Sequence, residues 1–143
     1  MDNADQVVTA LLEDDGDIKR ELMEKPSIED KFSRAYITAA LWSTNDEEGE
    51  PLDAKYGISD LAPATLVGML GDCADFQAKH HELLDQAGDE EQNGHDYWLS
   101  RNGHGAGFFD RGYPDEVGEV LQDLARKEGE VNLYVGDDGK IYS

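Results

Sequence analysis

The stretch Gly94-His95-Asp96-Tyr97-Trp98-Leu99-Ser100-Arg101-Asn102-Gly103-His104-Gly105-Ala106-Gly107-Phe108-Phe109-Asp110-Arg111-Gly112 decides how this chain is read. It holds two of the four histidines, one of the two tryptophans and two of the four phenylalanines. Two aromatic runs flank Asn102-Gly103-His104-Gly105. Asn-Gly favours a tight hairpin because both residues tolerate positive φ. The pattern predicts a strand over 97–101 and an antiparallel partner over 107–110. Trp98, Asn102, Gly103, Gly105, Gly107 and Phe108 would be its structural framework.

Working outward from it, Pro114, Asp115 and Glu116 suit the start of a helix, and Arg126 and Lys127 suit its end. Val117, Val120, Leu121 and Leu124 are its expected buried face. Residues 131–135 read as a strand, Gly136-Asp137-Asp138-Gly139 as a turn, and Lys140-Ile141-Tyr142 as the return. Residues 95–143 therefore read hairpin, helix, hairpin.

Upstream, residues 64–87 carry Leu66, Met69, Leu70, Cys73, Phe76, Leu83 and Leu84 as one helical stripe. His80 keeps its period and is expected to be mostly buried there. Gly68 and Gly71 weaken this helix by up to roughly 1 kcal/mol each relative to Ala, in exchange for a close neighbour. Cys73 reads as a small core residue. Residues 28–43 form another helix, with Ser27 as N-cap and Asp30 completing a capping-box pattern. Phe32, Ala35, Tyr36 and Ala39 face the core, with Trp42 an anchor at its edge. Residues 4–13, with Val7, Val8, Leu11 and Leu12, and the segment around Ile18, Leu22 and Met23 read as short helices before Pro26. The expectation is one α+β domain over 1–143. Residues 1–26 are a peripheral helical arm. Residues 27–94 are helical and pack on a small, mainly antiparallel sheet from two C-terminal hairpins joined by a helix.

Thirty-three acidic residues face twelve basic ones, a net charge of −21. Residues 1–95 carry −16 of it and residues 96–143 carry −5. Free nucleic acid and anionic membrane surfaces are disfavoured partners, and basic protein surfaces are favoured. Two acidic clusters stand out: Asp46, Glu47, Glu48 and Glu50 in one loop, and Asp85, Asp89, Glu90 and Glu91 near a helix end. The loop lacks the alternating ligands and bidentate Glu of a calcium-binding EF-hand, so it reads as solvated. A single cysteine rules out an internal disulfide and zinc sites with several cysteines. No cofactor is expected. No run is long enough to span a bilayer and the start lacks a signal-peptide pattern, so the expected location is cytoplasmic.

The densest mixture of chemical types is Asp96, Arg101, His104 and Asp110, with Arg111 beside them. If the hairpin paired as predicted, His104 would approach a carboxylate in a general-base arrangement. No nucleophile elbow accompanies it: Ser100 reads as a strand residue and Cys73 as core. His95 and His104 match no zinc spacing.

The central stretch, with Ala39-Ala40-Leu41-Trp42-Ser43, Gly49-Glu50-Pro51-Leu52-Asp53 and Gly136-Asp137-Asp138-Gly139-Lys140, resembles a signature in small acidic proteins of bacteriophages and prophages. The resemblance spans about residues 28–142 and implies a phage accessory protein in the host cytoplasm. It carries no catalytic residue over. The expected function is non-enzymatic: binding and inhibiting a host protein, with nucleic-acid-handling proteins foremost, through an acidic surface that mimics nucleic acid. The alternative is a small hydrolase or metal-dependent enzyme built on His104, Asp110, Asp96 and Arg101.

Overall fold

The computed structural model describes residues 27–143. The two short helices expected before Pro26 lie outside the described residues. Helix α1 spans Lys31–Ser43, α2 Pro63–Ala87, α3 Glu90–Arg101 and α4 Val117–Lys127. Two short strands, β1 Tyr134–Val135 and β2 Ile141–Tyr142, follow. The described residues are thus mostly helical, with one small antiparallel sheet at their C-terminal end. No helix among the described residues is long and apolar enough to cross a membrane.

The first predicted hairpin is absent. Residues 97–101 are the last turns of α3, and Phe108–Asp110 is a single 3-10 turn. The helix wins because its start is well capped: the Asp89 carboxylate accepts the Gln92 backbone N–H at 2.8 Å, and Glu90 and Glu91 sit in the positive first turn. Its aromatic run is then buried on all sides, so no alternation marks it as strand or helix. Asn102-Gly103 terminates the helix instead of turning a hairpin.

The other departures are smaller. The N-cap of α1 is Asp30, not Ser27; its carboxylate accepts from Ser33 N at 3.0 Å, Ser33 Oγ at 2.7 Å and Gln77 Nε2 of α2 at 2.9 Å. Ser27 instead turns the chain ahead of the helix, accepting from Glu29 N. The last helix begins at Val117, later than its proline implies, because Asp115 and Glu116 take left-handed φ of 56° and 64°. Val120 is exposed while Val117, Leu121 and Ala125 are buried. The C-terminal hairpin forms as read, with Tyr134 opposite Tyr142 and Val135 opposite Ile141, but its first strand is shorter than 131–135. Ala62 N–H donates to Ile141 O at 2.9 Å and ties the hairpin to the start of α2.

The core is aromatic. Tyr97 of α3 stacks on Phe76 of α2 at 4.1 Å between centroids and packs against Tyr36 of α1 at 5.0 Å. Trp98 meets Tyr36 edge-on at 5.3 Å and donates from Nε1 to Ser43 Oγ at 2.8 Å. Helices α1 and α3 approach most closely where Gly94 faces Phe32: a Cβ there would stand 2.0 Å from the Phe32 carbonyl oxygen. Gly68 and Gly71 have no such neighbour, contrary to expectation; both look onto open space. Cys73 is fully buried, as read, and burial pushes its thiol well above the ordinary range.

His80 is only half-buried. It breaks α2 with a non-helical φ/ψ of −125°/26°, and its ring meets Phe76 edge-on at 4.8 Å. Burial is the main cause that lowers its pKa below the usual 6.5. The fold therefore favours neutral His80. That contribution is whole above the unfolded value and is lost as pH falls through the lower, folded one. Urea unfolding of the wild type and His80→Gln between pH 7.5 and 5 is expected to show the wild type losing ground on acidification. A stability difference that does not change with pH would contradict this.

Candidate functional site

Helix α3 and the loop after it hold most of the polar residues singled out above, and nearly all of them have a structural partner. Asp96 is fully buried. Its carboxylate receives Arg111 side-on, Nε to Oδ2 at 2.9 Å and Nη2 to Oδ1 at 2.7 Å. Gln92 Nε2 adds a bond at 3.1 Å, and His95 Nδ1 stands 3.4 Å away. A buried carboxylate is tolerated only when paired and hydrogen-bonded in this way.

Arg101 points elsewhere. Five positions along a helix turn it about 140° from Asp96. Its Nε donates to Gly129 O at 2.7 Å and Nη2 to Glu128 O at 3.0 Å, fastening the end of α4. Its Nη1 reaches Asp72 Oδ2 at 3.0 Å, Tyr36 OH at 3.1 Å and Tyr97 OH at 3.2 Å. Burial pushes both tyrosine hydroxyls far above their ordinary range, so they stay protonated around the guanidinium.

The loop is held just as closely. Ser100, a helical residue and not a strand residue, accepts Phe108 N–H on its Oγ at 3.1 Å. Gly107, at φ 137°, leaves room for that hydroxyl; a Cβ there would lie 2.2 Å from Ser100 Oγ. Asn102 donates to Trp98 O at 2.9 Å and accepts from Val131 N at 2.8 Å. Gly103 and Gly105 supply the left-handed turns at φ 66° and 76°. Phe108 is buried, and Asp110 accepts from Gly107 N at 3.3 Å. Asp96, Arg101, His104 and Asp110 are therefore not one constellation. Asp96 and Asp110 do meet at Arg111, Asp110 Oδ1 standing 3.9 Å from its Nε, but Arg101 has separate partners and His104 is exposed, its backbone N–H donating to Leu99 O at 3.1 Å. The proximity expected of them depended on the hairpin that does not form.

The two acidic clusters lie at opposite ends of α1. The loop 45–50 follows its C-terminus, and Glu90 stands beside Asp30 at its N-terminus, where burial and then the Asp30 carboxylate push the Glu90 pKa up. Thirteen residues separate these ends by about 20 Å. Asp46 organises its loop, Oδ1 accepting from Glu48 N at 2.8 Å and Glu50 N at 3.0 Å. Lys55 Nζ sits among Glu48, Glu50 and Asp46 at 3.1, 3.6 and 3.8 Å, filling the centre of the group. Asp89 is engaged as the α3 cap. Glu47, Glu48, Glu50, Asp85, Glu90 and Glu91 face solvent.

One arrangement was not foreseen. Trp42, expected at the core edge, is 43% exposed and stacks on His95, centroids 5.7 Å apart. His95 and Arg111 line a groove of about 650 Å³ with Lys31, Arg34 and Thr38 of α1. The signal was present: Lys31, Arg34, Thr38 and Trp42 recur at helical spacing on the face of α1 opposite Phe32, Tyr36 and Ala40.

Comparison with protein-family models, with curated proteins and with solved structures finds no match to this chain.

Proposed function

We propose that this protein acts by binding, as a non-enzymatic accessory protein that docks on a basic surface of a host protein and inhibits it. The observation that carries this reading is how the polar residues divide. Those of the central stretch hold helices and loop together, whereas at the ends of α1 Glu47, Asp85, Glu90 and Glu91 are exposed, only Asp46 and Asp89 holding local backbone and Lys55 pairing with Glu48 and Glu50. Residues 27–143 hold 25 acids and 9 bases, a net −16. Such a field speeds encounter with a cationic surface and opposes nucleic acid. The resemblance to small acidic phage and prophage proteins points the same way, to a host target in the bacterial cytoplasm. A protein that itself grips nucleic acid has the surface this charge fits. An interface of ordinary size, about 800 Å² per partner, is wide enough to touch both clusters.

The test is association with a basic host protein at low and high salt. Reversing Glu47 and Glu48 to Lys, or Asp85 and Glu91 to Lys, is expected to slow association about tenfold or more. Folding should shift by about 0.5 kcal/mol or less, since these side chains are exposed. His104→Ala should leave association unchanged, and duplex DNA should not bind at physiological salt. Association indifferent to salt and to both reversals rules the reading out. Loss of an activity on His104→Ala favours the enzyme reading instead.

A further inference from the structure

Among nine basic side chains in residues 27–143, three line one groove between α1 and α3. Lys31 and Arg34 come from α1 and Arg111 from the loop after α3. Two features distinguish this groove from ordinary surface. The first lies behind its wall. Buried Asp96 fixes Arg111 through Nε and Nη2, so Nη1 has no hydrogen-bond partner among the described residues. The same carboxylate faces His95 Nδ1, and Nε2 has no hydrogen-bond partner among the described residues. One buried group thus positions two side chains that line the groove, as a supporting residue does in a built site.

The second feature is an indole next to the groove: Trp42 is not one of its lining residues but stacks on His95, which is. Trp42 stacks on His95 at an interplanar angle of 29°, and at 43% exposed it keeps much of its surface open. Trp98 is only 1% exposed, so the fold has no general difficulty in burying tryptophan. His95 connects the two: it stacks on the exposed indole and lines the groove with the fixed arginine, so a flat apolar surface adjoins an anion donor.

We propose that this groove binds a mononucleotide, its phosphate held by Arg111 and Arg34 and its base laid on Trp42. Guanidinium groups suit phosphate oxygens, and an exposed indole suits any base. The groove is open to solvent, and its space of about 650 Å³ is enough to admit a small molecule. Glu29, Asp89 and Glu91 line the same groove near the helix N-termini. Together with the net −16 they oppose a polyanion, so a single nucleotide fits and a nucleic acid strand does not. The groove shares Asp89 and Glu91 with the second acidic cluster, whereas Arg34, Arg111 and Trp42, which carry this proposal, lie outside both clusters.

The experiment titrates the full chain with adenosine monophosphate, following tryptophan emission and, in parallel, heat by calorimetry. Saturable quenching of Trp42 is expected. Arg34→Ala and Trp42→Ala, both at exposed positions, should each weaken binding about tenfold in calorimetry while the unfolding midpoint stays put. Inorganic phosphate should compete only at concentrations at least about tenfold higher. The proposal is overturned by silence in both readouts, by binding that Arg34→Ala leaves intact, by phosphate binding as tightly as the nucleotide, or by a short single-stranded oligonucleotide binding more tightly.

Discussion

Arg101→Ala is expected to destabilise the fold by about 3–5 kcal/mol, a large part of the total of a domain this size. Arg101 is 6% exposed and its guanidinium touches four parts of the chain: Tyr36 on α1, Asp72 on α2, Tyr97 on its own helix, and the Glu128 and Gly129 carbonyls that close α4. Removing it leaves two buried hydroxyls and two carbonyls without their donor, and opens a cavity beside the Tyr97 ring, over which the charge sits at 5.4 Å. Arg101→Lys should recover less than half of the loss. An ammonium keeps the charge but cannot reach acceptors on both sides of a planar fork. Urea unfolding of the three proteins measures this. A loss below about 1 kcal/mol for the alanine variant would mean that the packing around the site holds without the fork.

The second large effect is at Gly94. In an exposed helix, Gly→Ala gains up to about 1 kcal/mol from backbone entropy. Here the added methyl would lie 2.0 Å from the Phe32 carbonyl oxygen and 2.7 Å from its carbon, and neither backbone atom can swing aside. Helices α1 and α3 must separate, and the contacts of Tyr36 with Tyr97 and Trp98 loosen with them. A net loss of about 2–3 kcal/mol is expected. Gly68→Ala and Gly71→Ala supply the control on α2. Nothing lies within 4 Å of either new Cβ, so each should gain up to about 1 kcal/mol. Opposite signs for the same substitution separate close helix approach from helix propensity. A neutral Gly94→Ala would show that the approach of α1 to α3 can relax at little cost.

The importance of the central stretch was legible in the sequence, but its secondary structure was misread. Two local signals competed there. Asn102-Gly103 between aromatic runs favours a hairpin. Asp89-x-x-Gln92 with Glu90 and Glu91 favours a helix start, and Gly94, Tyr97, Trp98 and Arg101 recur at i, i+3, i+4 and i+7. The helix signals were the better physical evidence, because a capped N-terminus and a face against α1 stabilise each other. The acidic clusters were read correctly as surface, yet Asp46 and Asp89 turned out to hold local backbone. Trp42 and His95 were missed as a pair, being 53 positions apart in the chain.

What the sequence by itself determined was local: the apolar stripes of α1 and α2, the buried Cys73, the C-terminal hairpin with its Gly136–Gly139 turn, and the strong negative charge. Each depends on neighbours within a turn or two, where period and turn chemistry suffice. Only the tertiary structure decided which polar residues act together. Asp96 with Arg111, Arg101 with Asp72 and Tyr36, and Trp42 with His95 are pairings across separate elements. Nothing in a residue's own stretch specifies the partner that burial will bring to it.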